Sequence, residues 1–153
     1  MKCTYVFLAF FILFASCSTE TKSDFEIVKD LVKHDVLKDA QKFLHLEPIT
    51  VTSHTTERSA GTQHDFYSEG DYWWPNPEDP DGPYIRKDGL SNPDNFVAHR
   101  HSMIRLSQIS GALASAYLIT KDEVYLNKLM LHLKAWFVNE DTRMNPHLLY
   151  AQA

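Results

Sequence analysis

The chain has 153 residues, and its 15 Lys and Arg against 20 Asp and Glu give a formal charge of −5. That length suffices for one domain of ordinary size, and the acidic balance, with no basic run anywhere, argues against a nucleic-acid partner. Cys3 and Cys17 both fall in the N-terminal stretch, so no disulfide framework holds the domain together.

The first element is a leader. Lys2 supplies a positive start, Tyr5 to Ala15 is apolar but too short to span a bilayer, and Ala15-Ser16-Cys17 is a small-residue cleavage site. Residues 1–16 read as a signal peptide, 17–23 as a polar tether and 24–153 as the domain. Phe14-Ala15-Ser16-Cys17 resembles a bacterial lipobox, so Cys17 is expected to be lipidated and to become the mature N-terminus. That places the protein in the periplasm or at the cell surface, with the lipid on Cys17 as its one membrane contact. Plain secretion with Cys17 left free is the alternative.

Ser23-x-x-Glu26 matches a capping box and opens a helical pattern. Phe25, Val28, Val32, Val36, Ala40 and Phe43 recur at helical spacing, which predicts an amphipathic helix to about Leu46. Pro48 stops it, Ile49 to Thr52 reads as a short extended piece, and Ser53 to Gln63 as polar loop. From about Phe96 to Thr120 a second helix is predicted, with Asn92 or Asp94 as its cap and Leu106, Ile109, Leu113, Ala116 and Tyr117 as its stripe. Thr120-x-x-Glu123 is a second capping box. It starts a third helix, striped by Leu126, Leu129, Leu133, Trp136 and Phe137, that ends near Val138. Two such helices joined by a tight turn make an αα-hairpin. Asp141 to Ala153 reads as irregular. Three helices leave apolar stripes without partners, so the expected domain is either a small orphan or one truncated at its C-terminus.

Between the first two helices lies His64 to Asn92, HDFYSEGDYWWPNPEDPDGPYIRKDGLSN, with two of the three tryptophans and no lasting period. So long a connection is functional or disordered, and its aromatic content opposes disorder. Pro75, Pro77, Pro80 and Pro83 fix their own φ and extend the residues before them, so Trp73 and Trp74 sit on a stiffened platform. The flat faces of Phe66, Tyr67, Tyr72, Trp73, Trp74 and Tyr84 suit stacking on sugar rings, although a Trp-Trp pair also serves as core filling. Arg86, inside this wall, suits a carboxylate, Lys87 reads more simply as solvated charge, and Arg100 and Arg143 stay open to either reading. His64 beside Asp65 can titrate or donate. His99 and His101 point about 200° apart on a helix and do not chelate one ion. Asp65, Glu69, Asp71, Glu78, Asp79 and Asp81 could include a glycosidase pair or simply form turns. Asn145, Tyr150 and Gln152, beyond the third helix, are placed to line a cleft mouth.

Arg58-Ser59-Ala60-Gly61, the run His64 to Pro75, Asp81-Gly82-Pro83-Tyr84-Ile85-Arg86-Lys87-Asp88-Gly89 and Thr142-Arg143-Met144-Asn145-Pro146 together resemble the N-terminal part of the alginate lyase family. The resemblance runs from about Glu47 to Ala153. It implies a secreted, all-α, incomplete α/α toroid carrying a long Pro- and aromatic-rich loop. It also implies β-elimination on an anionic uronate polymer without a cofactor. In that reaction a group neutralises the C6 carboxylate, a base takes the C5 proton and an acid protonates the departing O4. The Asn-Asn-His group and the catalytic Tyr and Arg of the family match no motif here, so no catalytic residue is assigned and the chain by itself is expected to be inactive. What it matches is a substrate wall of His64, Tyr72, Trp73, Trp74, Arg86, Asn145, Tyr150 and Gln152. The rival readings are a glycoside hydrolase on the same toroid and a non-catalytic glycan-binding lipoprotein.

Overall fold

The computed structural model describes residues 22–152. The expected leader, the lipidation site Cys17 and most of the tether lie outside them. Helix α1 spans Asp24–Phe43, and Ser23 Oγ accepts from the Glu26 N–H at its start. Asp24 and Glu26 complement the positive end of the helix dipole. Only the second half of its stripe is used: Val36 and Phe43 pack around fully buried Ala40, whereas Phe25, Val28 and Val32 are exposed. The helix stops at Phe43, short of the expected Leu46, because the Leu46 N–H turns back onto the Phe43 carbonyl.

The extended piece expected at Ile49 to Thr52 is instead a 3₁₀ turn, Val51–Ser53. Thr50 Oγ1 accepts from the Thr52 N–H and Ser53 Oγ from the Thr50 N–H. Local hydroxyl-to-backbone bonding has overridden β-propensity there.

Helix α2 spans Ala98–Thr120 and α3 spans Glu123–Phe137. The cap expected for α2 is absent. Asn92 Oδ1 bonds the Asp94 N–H in a turn, and Val97 at the cap position makes no side-chain bond. At the hairpin, Asp122 rather than Thr120 caps α3 by accepting from the Val124 N–H at 3.0 Å. Thr120 is still helical, its Oγ1 donating to the Ala116 carbonyl. Lys121 makes the corner in the left-handed region, φ 60°.

Helix α2 is the central element, with both α1 and α3 packed on it. One core cluster joins Ala40 to Ile109, Leu113, Ala116, Tyr125 and Leu129, and the other joins Val51, Phe66, Leu106 and Trp136. The α2 and α3 stripes therefore bury largely as their spacing predicts, except that Phe137 at the end of the α3 stripe is exposed. Buried His132 pins the segment after α1 to α3 by donating from Nε2 to the Leu46 carbonyl at 3.1 Å. No helix among the described residues is long and apolar enough to cross a membrane.

The rest of the chain is less irregular than its sequence. Tyr67–Ser68 (β1), Trp73–Trp74 (β2), Ile85–Arg86 (β3) and Tyr150–Ala151 (β4) are two-residue strands. β2 and β3 pair antiparallel, with Trp73 opposite Arg86 and Trp74 opposite Ile85. β1 and β4 pair in parallel, with Tyr67 beside Tyr150. The C-terminal segment expected to be irregular thus docks as a strand.

Candidate functional site

The β2–β3 ribbon starts from two aromatic β-formers followed by Pro75, which has no N–H for a ladder and ends the strand. Bonds from the flanking loop then fix it: the Lys87 N–H to the Tyr72 carbonyl at 2.9 Å, the Asn92 N–H to the Asp71 carbonyl at 2.8 Å and Asn92 Nδ2 to the Trp73 carbonyl at 3.0 Å. Successive residues of a strand face opposite ways, so the two tryptophans separate. Trp74 donates Nε1 to the Leu90 carbonyl at 2.9 Å, and the Lys87 ammonium sits 4.7 Å from its ring centroid. Trp73 lies against Gly70, where any Cβ would collide with the indole. The residue is 43% exposed, against 1% for Trp136, so Trp73 is not core filling.

In front of Trp73 opens a groove of about 660 Å³, lined also by Arg58, Tyr67, Glu69, Pro83, Tyr84 and Gln152. A second cleft of about 260 Å³ shares Trp73 and Gln152 and adds Gly70, Asp71, Tyr72 and Arg86. Together they offer flat faces from Trp73, Tyr84 and Tyr72 and charge from Arg58 and Arg86. The larger space falls in the range of small-ligand sites.

Four of the residues picked from the sequence, Tyr72, Trp73, Arg86 and Gln152, meet at this double groove. The other four lie elsewhere. Trp74 is the ribbon's anchor on the opposite face. His64 donates Nδ1–H to the Arg143 carbonyl at 2.7 Å, and its own carbonyl accepts from the Asn145 N–H. Asn145 Nδ2 donates to Asp65 Oδ1 at 2.7 Å, and the Tyr150 ring lies against Gly61 and His147. His64, Asn145 and Tyr150 thus bracket the C-terminal segment whose Gln152 N–H bonds Ser68 Oγ at 3.1 Å. Arg86 forms an exposed ion pair with Asp88 at 2.6 Å, and Arg100 one with Asp71 at 2.6 Å.

Asp65 is the hub of that bracket. It is 4% exposed, accepts from Asn145 on Oδ1 and from the Thr62 N–H and hydroxyl on Oδ2, and faces His147 Nε2 as an ion pair at 3.1 Å. Burial pushes its pKa up, but hydrogen bonds from Asn145 and Thr62 and the charge of His147 win, leaving it below the usual carboxylate range.

The substrate wall read from the sequence leaves out Arg58, Tyr67, Glu69 and Tyr84, although Tyr67 and Tyr84 stand among the candidate stacking aromatics and Glu69 among the candidate carboxylates; Arg58 alone has no functional reading there. Glu69 is buried, and its Oε1 receives the Tyr67 hydroxyl at 3.1 Å and Arg58 at 3.0 Å while Oε2 receives the Phe96 N–H at 2.5 Å. Burial, the Glu69 charge and this hydrogen bond push Tyr67 up to about 12, so it stays a neutral donor. The signal available was the spacing of Tyr67 and Glu69, which share one face of an extended strand. The buried His99 accepts from the Tyr67 N–H at Nδ1 and donates from Nε2 to the His54 carbonyl, so both ring nitrogens are occupied.

Comparison with known proteins gives a consistent picture. The family model described as alginate lyase matches residues 50–153. Among solved structures, the crystal structure of an alginate lyase from Bacteroides ovatus is 36% identical with a TM-score of 0.70, over 84% of this chain and 36% of that one. The chain therefore spans well under half the length of that structure. No curated protein matches.

Proposed function

The chain belongs to the alginate lyase family, and from that membership we propose that it supplies the substrate wall of a polysaccharide lyase cleaving alginate or a related uronate polymer by β-elimination. The observation that carries this reading is Trp73: an indole held clear of the core at the edge of a groove that also presents Tyr84, Gln152 and Arg58. Sugar C–H faces stack on Trp73 and Tyr84, while arginine meets the uronate carboxylates.

The three helices form the start of an α/α toroid, with the α2–α3 hairpin as one of its repeats. The motifs that place the family's elimination machinery do not occur in the 153 residues, which contain no Asn-His pair. The chain is accordingly proposed to bind polymer and not to turn it over. Export by residues 1–16 and lipidation of Cys17 would place it at the cell surface or in the periplasm. Metabolic labelling with palmitate, lost in Cys17→Ser, tests the anchor.

The decisive experiment incubates the chain with alginate and follows two signals. Retardation in an alginate-containing gel with no absorbance from an unsaturated uronide is expected. Failure to bind would overturn the groove reading, and clear turnover would overturn the claim of inactivity.

A further inference from the structure

We propose that Arg58 reads a carboxylate of the polymer at the floor of the groove, and that buried Glu69 is the positioning residue that aims it. The proposal rests on the groove holding a uronate polymer, as above.

Among the described residues, Arg58 is the one cation lining the larger space. The other nearby cations are engaged: Arg86 with Asp88, Arg100 with Asp71, and Lys87 over the Trp74 ring. Arg58 is held at two points, NH1 to Glu69 Oε1 at 3.0 Å and NH2 to the Asp94 carbonyl at 2.8 Å. A guanidinium carries five N–H donors, so beyond the bond to Asp94 and the ion pair with Glu69 donors remain for a ligand. Its side chain is 44% exposed and that of Glu69 only 5%, which sets the carboxylate beneath and the cation towards the groove.

Glu69 does not compete for the visitor's place, because both its oxygens already receive donors: Tyr67, Arg58 and the Phe96 N–H. Tyr67 remains protonated and keeps that bond. The planar fork of Arg58 matches a carboxylate in bidentate geometry, which a lysine ammonium does not. Trp73 and Tyr84 line the same space, so a sugar stacked there has its carboxylate within reach of a donor fixed before binding. Prepositioning of this kind removes the ordering cost of a long side chain.

The test compares two probes of equal length on the full chain by titration calorimetry: a polyuronate oligosaccharide and its carboxyl-reduced, neutral counterpart. Wild type prefers the acidic probe. Arg58→Gln is expected to lose about 10- to 100-fold of affinity for the acidic probe and nothing for the neutral one. Arg58→Lys, which keeps the charge, falls between. Glu69→Gln lowers the acid-to-neutral ratio without weakening the neutral probe, a change that a loosened fold would not produce. Trp73→Ala weakens both probes alike. An unchanged preference in Arg58→Gln, or equal loss of both probes in it, overturns the role of Arg58 while Trp73→Ala still vouches for the groove. Absence of binding by wild type to either probe overturns the groove reading itself, and the role of Arg58 with it.

Discussion

Asp65→Asn removes the charge at the hub of the C-terminal bracket while preserving its shape. One of the two oxygens becomes an NH₂ group, which then faces donors: either Asn145 and His147, or the Thr62 N–H and hydroxyl. Hydrogen bonds to a charged group contribute about 1.5–3 kcal/mol each. Either the two bonds from Thr62, or the Asn145 bond and the His147 ion pair, are lost and relaxation recovers part, so the cost is roughly 3 kcal/mol, a large share of the ~5–15 kcal/mol that holds such a domain. For a chain of this size that corresponds to roughly 6–12 °C in Tm. Urea and thermal denaturation of wild type and variant measure it. The pH dependence gives a second check. Because the folded-state pKa of Asp65 is depressed, its contribution is fully present above the unfolded value of about 4 and is lost as pH falls through the folded one. The gap between the two proteins is therefore constant from neutrality to about pH 4 and closes below it. A gap under about 0.5 kcal/mol at neutral pH, or one that widens in acid, would refute the reasoning.

Three further outcomes follow from the groove. Trp74→Ala deletes the bond to the Leu90 carbonyl and the Lys87 contact and should cost about 1–2 kcal/mol of stability with little effect on polymer binding; Trp73→Ala should weaken binding about 10-fold and leave the denaturation midpoint nearly unmoved. Gly70→Ala places a Cβ where the Trp73 indole lies, so alginate affinity should fall as in Trp73→Ala while far-UV circular dichroism stays unchanged; wild-type binding by Gly70→Ala would count against the close approach. Spectrophotometric titration should show one tyrosine ionising at about 12, absent in Tyr67→Phe. Since that pKa is raised in the fold, the stability linked to it holds below pH of about 10 and is lost as pH climbs to 12.

The helices were legible because their signal is local. A stripe such as Leu106, Ile109, Leu113 and Ala116 announces both the helix and the face it buries. Helix ends were less legible, since α2 begins where Phe96 meets Glu69, 27 positions earlier. Within the wall the aromatic content pointed to the right stretch, but the two tryptophans read alike until a two-residue ribbon turned them to opposite faces. Arg58 was not legible as a groove residue, and Glu69 only as one of several wall carboxylates, because what distinguishes them is burial and pairing across the fold. His64 and Asn145 were legible separately as polar cleft residues, but their bonds to Arg143 and Asp65 span about 80 positions and leave no periodic trace.

The parallel pairing of β1 with β4 sets an order of assembly. Gln152 reaches the groove only through contacts with residues 84 positions upstream, and closing so long a loop is slow compared with winding α2 and α3. As the polypeptide emerges from the ribosome, Arg58, Trp73 and Tyr84 are exported from the tunnel long before that residue exists. The binding wall is therefore a late product of folding, completed after the helices are packed. By the same token its two-residue ladder is the first to let go under mild denaturant, and amide exchange at Gln152 should outrun that at Leu113.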